Sequence, residues 1–490
     1  DLKRFREDPR SIFNVGNTIG SPSAVIVRRS DVTYDERLTW LVDMEYYIHL
    51  LSESGSFAST DEPLISIGVS DRQLTRKVSE DEELVKRERG IISEKYGIED
   101  RAEKGEGLSV EGLLFYAGLT LEILWVILDK SAYIIESEGI LFRMSFVPLF
   151  LSVVIGFFKR RYGKRDCIYF AAFFVLGVIS YLCSSRNDII RILFLVFASA
   201  NASPKKYLRY TFFVTLSGCI VLSLLSFTGI LGTVMTDKEV GEGVTRRLLT
   251  LGMGHPNSLF AMFFALTALG LFIWYDRFNL KWGLLLLFAD AGLFFMTASR
   301  MGFVCTAMSI LFTLLMKKSA SLRDGKWFYH ISSAVIILMA VLSLMTAKYG
   351  EIYNSYDPPW FEPHFETVMK PLDRYMSGRL WNAYGYPDSD ISRFSAFSSP
   401  ENTRYVDMGY YKLFYWYGYV PGWIYVGICI ALLMVSCRKK IPALGVFVAV
   451  WCFYNFMEAH EISDFIGRNY IWLMSFYLPG LFLGRGDVSV

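Results

Sequence analysis

Beyond about residue 113 the chain alternates between long apolar runs and short polar turns. Twelve runs stand out, over 113–131, 140–158, 167–184, 187–201, 210–232, 256–274, 280–297, 302–316, 330–347, 410–435, 442–457 and 470–484. A helix crosses a bilayer in about 20 residues. Lipid offers no partner to a backbone N–H or C=O, so helices are the expected form. The two-residue alternation of a membrane barrel is absent. The fourth run is short and carries Arg191, which suits a half-helix. The pattern predicts an all-α polytopic membrane domain with about 12 transmembrane helices.

The turns differ in kind. Basic clusters follow the even-numbered runs: Lys159, Arg160, Arg161, Lys164 and Arg165; Lys205, Lys206 and Arg209; Arg277 and Lys281; Lys317, Lys318, Arg323 and Lys326; Arg438, Lys439 and Lys440. Positive loops stay on the cytoplasmic side, so both termini are expected in the cytoplasm of a multi-pass inner-membrane protein. The opposite side then holds a loop at 233–255, the turn at Ser299–Arg300, a segment at about 349–409 and the stretch Glu458–Arg468. Loops as long as 349–409 are usually lids or disordered. Trp360, Phe361, Tyr375 and Trp381 argue for the lid.

The first hundred residues follow other periods. Residues 17–31 read as a turn entering a buried strand, 41–51 as an amphipathic helix, 62–69 as a second strand and 79–96 as a charged, solvated helix. Residues 1–106 hold 38 of the 98 Asp, Glu, Lys and Arg. That concentration implies a water-exposed segment ahead of one that avoids charge. The chain opens on Asp1, and no signal peptide is expected there.

Lys plus Arg (50) nearly balances Asp plus Glu (48), which excludes a nucleic-acid binder working through bulk positive charge. At 53% hydrophobic residues, disorder is excluded too. The seven cysteines form no CxxC pair and sit in apolar runs, so neither a metal site nor a disulfide frame is expected, and no cofactor.

Chemistry-bearing residues collect in the turns away from the lysine clusters. They are Gly252-Met253-Gly254-His255-Pro256-Asn257 after Arg246 and Arg247; Thr297-Ala298-Ser299-Arg300-Met301-Gly302; Ser184-Ser185-Arg186-Asn187-Asp188 with Arg191; Ser377-Gly378-Arg379-Leu380-Trp381-Asn382 near Arg374; Asp407-Met408-Gly409-Tyr410-Tyr411; and Glu458-Ala459-His460-Glu461 with Arg468-Asn469. Each also has a plain reading. Pro256 and the glycines suit a helix start, and terminal arginines commonly snorkel to headgroups. Together, isolated arginines beside Gly, Ser, His and Trp suit a bidentate grip on phosphate and stacking on sugar rings.

Two resemblances follow. Asn17–Val25, Asp35–Glu45 and Glu62–Thr75 resemble the acceptor-side half of a family-2, GT-A-type glycosyltransferase, which implies a partial α/β domain over 1–103 with Asp43 at the general-base position. The nucleotide-binding half with its Asp-x-Asp is absent from these residues, so Asp43 is expected to be a remnant or scaffold residue. Residues 107–490 resemble the O-antigen polymerase (Wzy-type) and O-antigen ligase superfamily through the motifs at Gly254–Asn257, Ser299–Gly302, Gly378–Trp381 and Asp407–Tyr410, before Tyr417–Gly422. The ligase branch carries a His-Asn pair in the long outer loop; here His364 is followed by Phe365, which favours a polymerase.

The second resemblance implies a glycosyltransferase that joins polyprenyl-diphosphate-linked repeat units on the outer membrane face. Arg300 and Arg379 are the expected diphosphate clamps. His255 would orient or deprotonate the acceptor, with Glu458 or Asp407 in reserve. Arg186, Arg246, Arg247, Asn257, Ser299, Arg374 and Trp381 would bind substrate. Partners implied are the lipid bilayer, a flippase and a chain-length regulator, and no nucleic acid. The alternatives are a lipid-linked glycan transporter, a membrane-anchored family-2 glycosyltransferase and an O-antigen ligase.

Overall fold

The structure is a computed structural model. It describes residues 5, 8–15, 19, 24–28, 30–54, 58, 65, 82–98, 109–131, 133, 139–241, 244–355, 365–376, 378–385 and 391–478. Contacts divide the chain into two units, Asp1–Ser109 and Val110–Val490.

In the first unit, helix α1 (Val42–Ser54) buries Tyr47, Ile48 and Leu51 against Phe13, Leu38 and Ile92. Helix α2 (Glu82–Tyr96) was expected to be solvated, yet it buries Glu88 and Ile92. The reason is capping: the Glu88 carboxylate accepts the backbone N–H groups of Thr39, Trp40 and Leu41 at 2.8–2.9 Å, just ahead of α1. Those donors have no partner within the helix. Glu45 accepts from Lys95 and Tyr96 at 2.7 and 2.6 Å. The expected first strand is extended at 24–28, with Val25 and Val27 inward and Ile26 98% exposed, but no sheet forms among the described residues of this unit. The second strand, 62–69, lies outside the described residues apart from Ile65.

The second unit is a helical bundle. Its elements are α3 (Val110–Asp129), α4 (Val147–Phe158), α5 (Lys164–Ser184), α6 (Asp188–Ser199), α7 (Pro204–Phe227), the strands β1 (Met235–Gly241) and β2 (Val244–Leu249), α8 (Pro256–Ile273), α9 (Leu280–Thr297), α10 (Arg300–Lys318), α11 (Trp327–Ser355), α12 (Arg379–Tyr384), α13 (Gly409–Tyr417), α14 (Tyr419–Lys439), α15 (Pro442–Met457) and α16 (Tyr470–Leu473). Proline opens α7, α8 and α15, where its missing N–H costs nothing. Among the described residues, nine helices are long and apolar enough to cross a membrane, α4 counting together with the turn of helix before it as Ile140–Phe158. The chain is a multi-pass membrane protein.

Three of the twelve expected spans take other forms. Helix α6 has 12 residues and α15 has 16. The last expected span, 470–484, begins as the four-residue α16 and a 3-10 turn, and its residues beyond 478 lie outside the described ones. The stretch 458–478 nevertheless threads back through the bundle and is nearly all buried. Gly467 lies against the Glu122 carbonyl, where a Cβ would come within 2.4 Å of the oxygen, and Tyr207 donates to the Leu473 carbonyl at 2.8 Å. Irregular backbone survives at this depth because protein, not lipid, surrounds it.

Contacts fix which helix ends lie together. Lys159 and Arg161 pair with Glu111 at the start of α3. Lys317, ending α10, donates to the carbonyls of Tyr275, Asp276 and Phe278 between α8 and α9. Phe115 meets Tyr207, and Phe212 meets Trp274, edge to face. The lysine and arginine clusters thus share one end of the bundle. At the other end α8 and α10 start level: a Cβ on Gly302 would lie 2.3 Å from the Phe260 ring. Outward faces are apolar, as at Leu284, Leu285 and Phe288 of α9.

Candidate functional site

The loop expected at 233–255 is an antiparallel hairpin, pairing Asp237 with Arg247 and Lys238 with Arg246. Its strands are short and charged, so no hydrophobic alternation announced them. The hairpin sets the Lys238 ammonium 2.9 Å from Nε2 of His255. On its other edge, Arg246 donates to the Phe295 carbonyl near the end of α9.

His255 is the N-cap of α8, and its Nδ1 accepts the Asn257 N–H at 3.1 Å. With Nδ1 an acceptor, the proton of a neutral ring sits on Nε2 and faces Lys238. An ammonium would set donor against donor there, so at this distance that N–H is accepted only by an unprotonated Lys238 amine. Burial pushes the His255 ring down to about 4, with Lys238 next and Asp407 opposing. Burial lowers Lys238 as well, Arg379 adds to this, and Glu458 and Asp407 oppose it.

Arg379 opens α12 behind Gly378, whose φ of +79° suits the left-handed turn. It is 8% exposed and fully engaged. Nε donates to the Met457 carbonyl at 2.9 Å, one terminal nitrogen to the Met376 carbonyl at 3.2 Å, and the other to the Glu458 carboxylate. Burial raises the Glu458 carboxyl, Arg379 holds it down, and Asp407 raises it again. Lys130, just past α3, is held down to about 8 by burial and by Arg468 next, against the pull of Asp129 and Glu458. Asp129 binds both Lys130 and Arg468 at 3.2 Å. His255, Lys238, Asp407, Arg379, Glu458 and Lys130 therefore lie within one another's electrostatic reach.

A second polar region adjoins it. A cavity of about 480 Å³ is lined by Phe142, Arg143, Phe146, Arg186, Asp188, Arg191 and Asp464, among others. Arg186 pairs with Asp464 at 3.1 Å and covers the Trp416 ring at 3.7 Å. Arg191 grips both oxygens of Glu122 at 2.9 and 2.8 Å and donates to the Asp464 carbonyl. Arg143 is exposed and has no partner among the described residues.

The structure thus brings His255, Asn257, Arg379, Glu458 and Asp407 together and puts Arg186 at the neighbouring cavity. The other expected residues stand apart. Arg300 is the first residue of α10, level with His255 but exposed and without a partner among the described residues; Ser299 beside it is buried. Arg247 is exposed, 3.8 Å from Asp237. Arg374 is exposed, and the Trp381 backbone N–H donates to the Asp373 carboxylate. Asp43 is half-buried in α1 of the first unit, where burial raises its carboxyl.

Lys130 and Lys238 are the site residues that motif reading misses. One signal was available: Lys130 and Lys238 are lysines in turns away from the basic clusters. Among the described residues no group of His, Cys, Asp and Glu could hold a metal. Comparison with protein-family models, with curated proteins and with solved structures gives no match.

Proposed function

We propose that the second unit polymerises lipid-linked oligosaccharide repeat units. The observation that carries this is the Arg379–Glu458 pair beside His255, Lys238, Asp407 and Lys130, at the bundle end opposite the basic clusters. On the positive-inside rule that end faces away from the cytoplasm, with twelve crossings and both termini cytoplasmic. The donor would be a glycan on a polyprenyl diphosphate in the inner membrane, and the acceptor a sugar hydroxyl on a second unit.

In this reading Glu458 is the base, because Arg379 keeps it charged and aimed. His255 has its acceptor nitrogen occupied by the cap and orients the acceptor instead. The hydroxyl oxygen attacks the anomeric carbon, the bond from that carbon to the diphosphate oxygen breaks, the pair leaves with the diphosphate, and the hydroxyl proton goes to Glu458. Arg379 is already committed, so the anion grip falls to Arg143, which lines the neighbouring cavity without a partner among the described residues, with Arg300 free at the neighbouring helix start. A flippase would deliver the units, and a chain-length regulator would act on the product. The first unit's glycosyltransferase-like segment serves as scaffold, Asp43 included.

A lipid-linked glycan transporter is the second reading, favoured by Asp290, whose two carboxylate oxygens lie buried and unpartnered within α9 among the described residues. Deleting the gene and sizing the surface polysaccharide separates the two. A polymerase defect leaves single exported units, and a transport defect leaves units on the cytoplasmic leaflet.

A further inference from the structure

Lys412, in the middle of α13, is a buried amine that the reaction above does not use. It is 1% exposed, and its ammonium lies 3.7 Å from the Trp416 ring centroid and 3.9 Å from that of Tyr405. Among the described residues it makes no hydrogen bond or ion pair. Ring faces attract a cation without neutralising it, and buried charges normally come paired. Its charged neighbours do not supply the pair. Arg468 and Lys130 share Asp129, and Arg186 holds Asp464. The nearby carboxylates Asp129, Asp464 and Asp188 are thus already engaged, and none is left as the counter-charge of Lys412.

We propose that Lys412 is the ion-pair partner for the carboxylate of an acidic sugar in the glycan. This rests on the polymerase reading and names its substrate class. The diphosphate has its own cavity at Arg143, and Arg186 on the wall of that cavity also sits 3.7 Å from the Trp416 centroid. Two cations at that distance take opposite faces of one indole, so Lys412 lies across the Trp416 ring from Arg186. The Tyr405 ring, against which Lys412 also packs, is 54% exposed and offers a stacking face to that sugar.

The test is thermal unfolding of the full chain in micelles with D-glucuronate, D-glucose or inorganic diphosphate. Glucuronate raises the midpoint more than glucose in the unmodified protein. Lys412→Met weakens the glucuronate response about tenfold and keeps that to diphosphate, while Arg143→Ala does the converse. Equal responses to glucose and glucuronate overturn the proposal, and that comparison stands even where Lys412→Met does not accumulate. Loss of the diphosphate response in Lys412→Met assigns Lys412 to the diphosphate grip and overturns it too, as does a polymer free of acidic sugar. Surface polysaccharide unchanged by gene deletion removes the polymerase reading instead, and the glucuronate measurement does not depend on it.

Discussion

The Arg379 guanidinium bridges two consecutive residues: Nε donates to the Met457 carbonyl at the end of α15, and a terminal nitrogen donates to the Glu458 carboxylate. One side chain from the long loop segment thereby closes the last turn of a core helix and aims the carboxylate beyond it. Arg379→Lys can reach one of these acceptors and not both, since an ammonium lacks the planar fork. Polymer formation is expected to fall about 10²–10⁴-fold in Glu458→Gln, the range for a lost general base. Arg379→Lys should fall similarly, with either protein present at normal level in membranes by immunoblot.

The His255 shift makes a pH prediction. Its folded value is about 4 against an ordinary 6.5, so between those values the unfolded chain binds the extra proton. Stability therefore declines as pH falls from 6.5 towards 4, and is unaffected by this group above 6.5. The unfolding midpoint followed across that window should drop more steeply in the unmodified protein than in His255→Gln. Parallel curves would show that the ring is not held neutral.

Glu122 and Arg191 form a two-pronged ion pair inside the bundle, 0% and 4% exposed. Removing one member strands a charge. Glu122→Gln and Arg191→Met are each expected to cost about 3–5 kcal/mol, and the double variant less than their sum. Chemical denaturation in micelles gives the three values, and strict additivity would mean the pair is not coupled.

Gly302 and Phe260 hold α8 and α10 in register. Gly302→Val forces the ring aside and is expected to cost about 1–3 kcal/mol, moving His255 relative to the rest of the cluster. Phe260→Ala in the same chain makes room and should recover part of the unfolding midpoint. No recovery would place the strain elsewhere.

The bundle was legible because its signals are local. Apolar runs and lysine clusters depend on sequence neighbours alone, and the basic clusters do share one end. The hairpin was not legible, since Met235–Gly241 and Val244–Leu249 are mostly polar or charged and draw their order from pairing. Nor was the irregular path of 458–478, whose apolar composition matches a helix but whose backbone is held by distant groups such as Glu122 and Tyr207. The site was half legible. His255, Arg379, Glu458 and Asp407 sit in motifs, whereas Lys412 hides within the aromatic run Tyr410–Tyr417, where only tertiary contacts reveal that it has no counter-charge. The full engagement of Arg379 was likewise invisible, because its acceptors are backbone carbonyls and a carboxylate 79 positions on.

The central claim is that Glu458 extends a glycan carried on a lipid diphosphate. The most direct measurement is the size distribution of lipid-released glycans from cells whose sole copy carries Glu458→Gln. The account predicts single repeat units on the lipid with no ladder above them, against a full ladder in cells with the unmodified protein. A normal ladder in the variant would contradict it.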